Sequence, residues 1–198
     1  MNEMVKMVVV LTILSSVAGG VLAAINNGTA SQIEAQQLAF VKGPAIKAIL
    51  SGSSNDPIQD RIKIADGDIQ RSVFVGKFNG KANTIAIEGV GKGGFAGDVG
   101  VMIGVNIDDD KLVGAAVTVH SETPGLGAKA KDDPSFVAQF KGNAVKDSVS
   151  VTKDGGRINA ISGATITSRA ACVGVTDAMK AYQRLKPQLK EEIEKFGK

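Results

Sequence analysis

The chain has almost no metal-binding or redox-active side chains of its own. Its 198 residues include one cysteine (Cys172), one histidine (His120), one tyrosine and no tryptophan. A single thiol cannot close an internal disulfide and cannot assemble a zinc or iron–sulfur site. One imidazole excludes a histidine-rich metal centre or an axial histidine pair within the chain. Aromatic residues make up only 4%, too few to stack a series of bases. No basic block is present either: 23 Lys and Arg are interspersed with 20 Asp and Glu, for a formal net charge of +3. That pattern describes a solvated mixed surface and argues against a nucleic-acid face. A chain of this composition needs an organic cofactor if it is to carry electrons.

Charge is also missing from a long stretch near the N-terminus. Met7 to Ile25 are nineteen consecutive residues without a charged side chain, about 28 Å as a helix, close to the roughly 30 Å hydrocarbon core of a bilayer. The expectation is one transmembrane helix, with Gly19 and Gly20 allowing a neighbouring helix to approach closely. The rival is a cleaved signal peptide, with Ala18, Ala23 and Ala24 as small residues for cleavage; the length favours the anchor. Lys6 precedes the run and no Lys or Arg follows until Lys42. The positive-inside bias then places the N-terminus in the cytoplasm and the large domain outside, although Glu3 partly offsets Lys6 in net charge.

The remainder has enough apolar content for one domain core, the whole chain being 43% hydrophobic. From Asn26 to about Leu50 the spacing predicts a helix, with Pro44 as a break or a new start. Strands are expected over 61–81, with turns at Asp66-Gly67-Asp68 and Asn79-Gly80, and again over Thr84 to Val90. Val99 to Ile107 and Leu112 to Val119, joined by Asp108-Asp109-Asp110, read as an antiparallel hairpin. A short helix is expected from Asp133 to Phe140, a strand over 145–151, and a helix from Arg169 to Tyr182. Pro187 is expected to end that helix, leaving Gln188 to Phe196 as a last charged helix. The fold class is α+β: an antiparallel sheet with flanking helices, preceded by one N-terminal transmembrane helix.

Three segments carry candidate chemistry. The first is Ile161-Ser162-Gly163-Ala164-Thr165-Ile166-Thr167-Ser168, which places four hydroxyls and one glycine just before a helix. Unpaired N–H groups at a helix start carry partial positive charge and suit a phosphate. The plain alternative is a helix cap, with Thr167 or Ser168 as the N-cap. The second is His120-Ser121-Glu122-Thr123-Pro124-Gly125-Leu126-Gly127, directly after a strand. Pro124-Gly125 suits the centre of a type II turn, and a rigid turn makes a good pocket wall. The third is the glycine-rich run from Gly89 to Gly97. It contains a G-x-G-x-x-G match, but no long helix follows it, so a dinucleotide site fails its own context; a tight loop between strands is expected.

Other residues have plainer readings. Cys172 is read as a small packed residue. His120 is read as a partly buried strand-end residue, with tuning of a cofactor as the alternative. Asp108 to Asp110 is read as a solvated turn and not a metal cluster. Lys129 and Lys131 are candidates to pair with a phosphate.

Ser162-Gly163-Ala164-Thr165 resembles the flavinylation motif of the FMN-binding domain of the Rnf G and Nqr C subunits. The Glu-Thr-Pro-Gly-Leu-Gly run, the glycine-rich stretch and the N-terminal anchor follow the same family in the same order. The chain is most similar to the Rnf G type, Nqr C being typically longer. Where the family has an acidic residue three positions before the motif serine, this chain has Asn159.

The resemblance implies one FMN per chain, joined covalently through its phosphate to Thr165. Ser162, Gly163, Ala164 and Thr167 would lie around the attachment, and Glu122, Thr123, Gly125 and Leu126 in the pocket. It further implies a flavin transferase for maturation and other membrane subunits of an Rnf-type complex as partners. That complex exchanges electrons between ferredoxin and NAD, coupled to ion movement. The role would be an electron relay with no catalytic acid–base pair and no metal. The implied organisation is a short cytoplasmic N-terminus (1–6), a transmembrane helix (7–25), a membrane-proximal helix and strands (26–80), an FMN-binding core (81–186) and a charged C-terminal tail (187–198). The large domain would lie on the periplasmic side of the inner membrane. The alternatives are an Nqr C-type component of a Na⁺-translocating NADH:quinone reductase, an independent extracytoplasmic flavin carrier, and a structural partner that binds no flavin.

Overall fold

The computed structural model describes residues 2–67 and 69–196; Asp68 of the expected Asp66-Gly67-Asp68 turn and the last two residues of the expected tail lie outside the described residues. Two compact units are present, Met1–Phe40 and Val41–Lys198. The first is helix α1 (Glu3–Gln36), which contains no buried residue. A π-helical segment, Gln37–Lys42, follows, and then α2 (Gly43–Ile49). The whole stretch Glu3–Ile49 is helical and long and apolar enough to cross a membrane. Pro44 sits in the first turn of α2. Its missing N–H interrupts the i−4 ladder there, and the π-helical segment lies directly before that break.

The second unit is a five-stranded antiparallel meander: β1 (Arg61–Asp66), β2 (Ile69–Phe78), β3 (Lys81–Gly91), β4 (Val99–Asn106) and β5 (Lys111–Val117). Asn79 and Gly80 both take positive φ and join β2 to β3 through a two-residue turn, with Phe78 opposite Lys81, as a type I′ hairpin requires. The expected division at 80/81 therefore falls inside a tight hairpin of one sheet. A register shift at Gly76/Lys77 and another at Gly104/Val105 bend two of the pairings.

The sheet is covered on both faces. Ile85 and Ile87 of β3 and Val101, Ile103 and Val105 of β4 point to one side, all at 0–1% exposure, and against them lies α5 (Thr165–Phe196). Burying each such side chain contributes about 1.5–3 kcal/mol. On the other side, α2 places Ile49 over Gly104, and Leu50 directly after it lies over Gly76. Above that cover, Lys42 Nζ pairs with Glu88 at 2.6 Å, and the Thr118 hydroxyl donates to the same carboxylate at 3.0 Å.

Four segments differ from their sequence-based expectation. Residues 145–151 form no ladder strand; the segment makes one isolated bridge, at Val151, and a second lies just before it at Ala144. Gly89 and Gly91 belong to β3 and not to a loop: a Cβ on Gly91 would collide with the carbonyl of Ala170, and one on Gly89 would meet Ala178 N at 2.5 Å. Their missing side chains admit the backbone of α5, not a cofactor. A short α3 (Lys129–Asp132) precedes α4 (Pro134–Ala138), the latter capped by Asp133 Oδ1, which accepts from the Ser135 N–H at 2.9 Å. Finally, α5 begins at Thr165 and continues through Pro187 to Phe196, so the expected separate last helix is the end of α5. Leu189 is fully buried and Ile193 is 9% exposed. That burial offsets the roughly 3 kcal/mol which an interior proline costs a helix.

Candidate functional site

The Ser162-Gly163-Ala164-Thr165 run is a turn feeding directly into α5. The Ala164 N–H donates to the Ile161 carbonyl at 3.0 Å, and Gly163 stands at the third position of this turn with φ 77°, a conformation that glycine adopts without strain. The Ala164 carbonyl accepts the first helical bond, from Ser168 N at 3.0 Å. Ala164 is therefore the N-cap, and neither Thr167 nor Ser168, the residues of the plain alternative, fills that place. A methyl group accepts nothing. Among the described residues, the N–H groups of Thr165, Ile166 and Thr167 make no hydrogen bond. Three unpaired amides at the positive end of a 32-residue helix make an anion-binding position.

The hydroxyls of the motif have separate fates. Ser168 Oγ is fully buried, donates to the Ala164 carbonyl at 2.9 Å and accepts from the Ile161 N–H at 2.9 Å, stapling the turn to the helix. Thr167 is 1% exposed and donates to Glu122 at 2.6 Å. Ser162 is exposed, and Thr165 is partly exposed with no hydrogen bond to its hydroxyl among the described residues. Thr165 and Thr167 line a cavity of about 200 Å³ with Gly163, Ala164 and Ile166. Ser162 lies outside that lining.

The opposite wall is the loop after β5. Leu126 N donates to the Thr123 carbonyl at 3.2 Å around Pro124 and Gly125, with φ 75° at Gly125, so the expected type II turn is formed. Glu122, Thr123, Leu126 and Gly127 reach the cavity; Gly125 shapes the turn without lining it. Both carboxylate oxygens of Glu122 already accept from the protein, one from Thr167 and the other from Ala96 N at 3.0 Å. His120 is partly buried beyond the end of β5, and its Nδ1 accepts from the Glu122 N–H at 3.2 Å.

Two further lining residues, Phe95 and Ile166, have no place in the sequence-based site. Phe95 is 75% exposed and Ile166 48%, alongside Leu126 at 50%. Large apolar side chains standing open around one cavity mark a place that something covers. The available signals were a phenylalanine inside a glycine-rich loop and an isoleucine between two hydroxyls of a helix start.

The remaining candidates lie away from the cavity. Lys131 Nζ donates to the Thr118 carbonyl at 3.1 Å, and neither it nor Lys129 lines the cavity. Cys172 is buried, and burial pushes its thiol up to about 12, so it stays protonated. The Asp108 to Asp110 carboxylates go to separate partners: Asn83, the Lys111 N–H, and the Tyr182–Lys186 pair. Asn159 is bound through its backbone to the side chain of Gln139, with Asn159 N 2.7 Å from Gln139 Oε1.

The cavity has apolar side chains on its rim, an uncapped helix start at one end and, among the described residues, a threonine hydroxyl without a hydrogen bond beside it. The fold is similar to the solved structure of the C subunit of Na⁺-translocating NADH-quinone reductase from Parabacteroides distasonis. The TM-score is 0.53 and the identity 26%, over 64% of this chain and 79% of that one. Residues 94–180, which hold both cavity walls, match the FMN-binding domain. Over nearly the whole length, the chain is 32% identical to the G subunit of the Na⁺-translocating ferredoxin:NAD⁺ oxidoreductase complex of Acetobacterium woodii, covering 91% of this chain and 92% of that protein. The chain belongs to the G-subunit family of ion-translocating oxidoreductase complexes. The G subunit of Methanosarcina acetivorans is 33% identical over 90% of this chain and 92% of its own length. That of Pseudomonas aeruginosa is 28% identical over 99% and 96%.

Proposed function

We propose that this chain is the flavin-carrying G subunit of an Rnf-type ion-translocating ferredoxin:NAD oxidoreductase, with FMN joined through its phosphate to Thr165. The observation that carries the reading is the start of α5. Thr165 presents an unengaged hydroxyl at the first helical position, beside three unpaired amides, at the edge of an apolar-rimmed cavity. A phosphate esterified there has its negative charge balanced by the helix start, without a lysine or arginine in the cavity lining. Phe95, Leu126 and Ile166 would flank the ring system, and the Thr123–Leu126 turn would hold one wall rigid. Thr165 is favoured among the four hydroxyls, since Thr167 and Ser168 are buried and committed to other partners and Ser162 lies outside the cavity lining. FMN, when bound, supplies the electron-transfer chemistry that no side chain of this protein offers.

The apolar helix supports a membrane anchor, with the positive-inside bias at Lys6 supporting an extracytoplasmic domain. A covalent tether suits a cofactor that would otherwise diffuse away from that side. The partners in this reading are the other membrane subunits of the complex, and the maturation enzyme is a flavin transferase. The C subunit of a Na⁺-translocating quinone reductase is the second reading, favoured by the solved Parabacteroides distasonis structure; the two are separated by the proteins that co-purify.

The test is intact mass and in-gel ultraviolet fluorescence of the denatured chain, produced with an active flavin transferase, beside Thr165→Ala. The expected result is a mass gain of one esterified FMN, lost completely in the variant, with the melting temperature of the flavin-free protein nearly unchanged. Attachment that survives Thr165→Ala overturns the assignment of the residue. A colourless wild-type protein beside a modified control substrate overturns the flavin reading itself.

A further inference from the structure

Glu122 is a buried carboxylate with no cation beside it. It is 5% exposed, and none of the ion pairs among the described residues involves it. Such a group is costly unless its oxygens are satisfied, and here two neutral donors satisfy them: Ala96 N at 3.0 Å on one oxygen and Thr167 Oγ1 at 2.6 Å on the other. Space for the carboxylate is kept on both sides. A Cβ on Gly94 would stand 2.7 Å from Oε1, and one on Gly127 would stand 2.6 Å from Oε2 and 2.7 Å from Thr167 Oγ1. The two donors belong to different segments. Ala96 follows Phe95 in the loop between β3 and β4, and Thr167 is in the first turn of α5 two residues after Thr165. Both segments border the cavity.

We propose that Glu122 is a positioning residue of the flavin site, which ties the Phe95 loop to the start of α5 and keeps the Thr167 hydroxyl turned away from the attachment position. Each part follows from donor and acceptor capacity. The Thr167 hydroxyl donates to Glu122 Oε2, so its hydrogen is turned toward that carboxyl group. The backbone N–H of Ala96 only donates, so releasing it leaves Phe95 on an untethered loop. The proposal rests on the flavin reading for what the tether is for, but the tether itself exists without flavin.

Glutamine distinguishes the tether from the charge. In Glu122→Gln the amide oxygen can still accept from Ala96 and the amide nitrogen can donate to Thr167, whose hydroxyl reverses. Glu122→Ala removes both bonds. The experiment is amide hydrogen exchange on the full-length flavin-free chain in detergent, read at Ala96 and normalised to the β3 and β4 amides. Glu122→Ala is expected to speed exchange at Ala96 at least tenfold, with Glu122→Gln close to wild type. If Glu122→Ala fails to fold, Thr167→Val breaks the same tether from the helix side at constant size, and Thr167→Ser restores it. In the flavin-loaded protein, the emission of the attached flavin is expected to change in Glu122→Ala and to return in Glu122→Gln. Unchanged Ala96 exchange in both Glu122→Ala and Thr167→Val overturns the tether, as does a Gln variant that exchanges as fast as Ala. Absence of flavin on the wild-type chain would defeat the flavin reading and leave the exchange result standing.

Discussion

The two ends of α5 are built on opposite principles. Its first turn is left open: the N-cap is an alanine, three amides have no acceptor, and Ile166 stands half exposed beside the Thr165 hydroxyl. Its far half is closed. Leu185, Leu189 and Ile193 are buried, Arg184 pairs with Asp66 at 2.7 Å, and Tyr182 donates to Asp110 at 2.6 Å while Lys186 pairs with the same carboxylate. The short helix α4, by contrast, has its start capped by the Asp133 side chain. One end of α5 therefore holds the fold and the other keeps its polar groups available. The glycines beneath it, Gly89 and Gly91, let the same helix serve both purposes by seating its first half, Ala170 to Ala178, directly on the sheet.

The division can be broken from the closed end first. Leu189→Ala removes a fully buried side chain and is expected to destabilise the protein by about 2–4 kcal/mol. Thermal unfolding should record this, with flavin attachment at Thr165 unchanged below the melting transition. A loss of attachment in the folded variant would mean that the two ends are not independent.

The ion pairs of the closed end respond to acid. Hydrogen bonds from Arg184 and then Arg71 hold the Asp66 carboxyl at about 2, below its ordinary 3.8. A carboxyl depressed in the folded state contributes stability that is complete above about pH 4 and is lost as pH falls toward 2. With Arg184 half exposed to solvent, the contribution is on the order of 1–2 kcal/mol. Denaturant unfolding of wild type and Asp66→Asn should therefore converge between pH 4 and pH 2. A gap that persists at pH 2 would place the contribution elsewhere.

The smallest effect sharpens the open end. Ala164→Ser supplies a capping hydroxyl and is expected to stabilise the flavin-free chain by about 0.5–1 kcal/mol, while lowering attachment at Thr165 because the amides are then occupied. Greater stability with full attachment would show that the uncapped start is not what receives the phosphate.

Much of this was legible in advance. The alternation of Thr84 to Val90 and Val99 to Ile107, and turn pairs such as Asn79-Gly80, identify the sheet because a two-residue period and positive-φ turn residues are local properties. The hydroxyl-rich run before α5 and the Pro124-Gly125 turn are visible for the same reason. What was not legible depends on residues far apart in the chain. Gly89 and Gly91 look like loop glycines until the backbone of α5 is seen lying on them. Pro187 looks like a helix stop until the burial of Leu189 outweighs it. Phe95 and Ile166 belong to one cavity only because the β3–β4 loop and the start of α5 meet there.

The sequence by itself determined the long apolar helix, the antiparallel order of the main strands, and the hydroxyl-rich motif with its candidate threonine. Hydrophobic period, turn chemistry and motif spacing are written in neighbouring residues. Only the tertiary structure decided which hydroxyl of that motif faces the cavity unengaged, because Thr167 is claimed by Glu122, 45 residues away, Ser168 is buried beneath the turn, and Ser162 lies outside the lining. It also decided that the helix start is uncapped. Hydrogen-bond partners and burial are assigned by the packing of distant segments, and no local pattern carries that information.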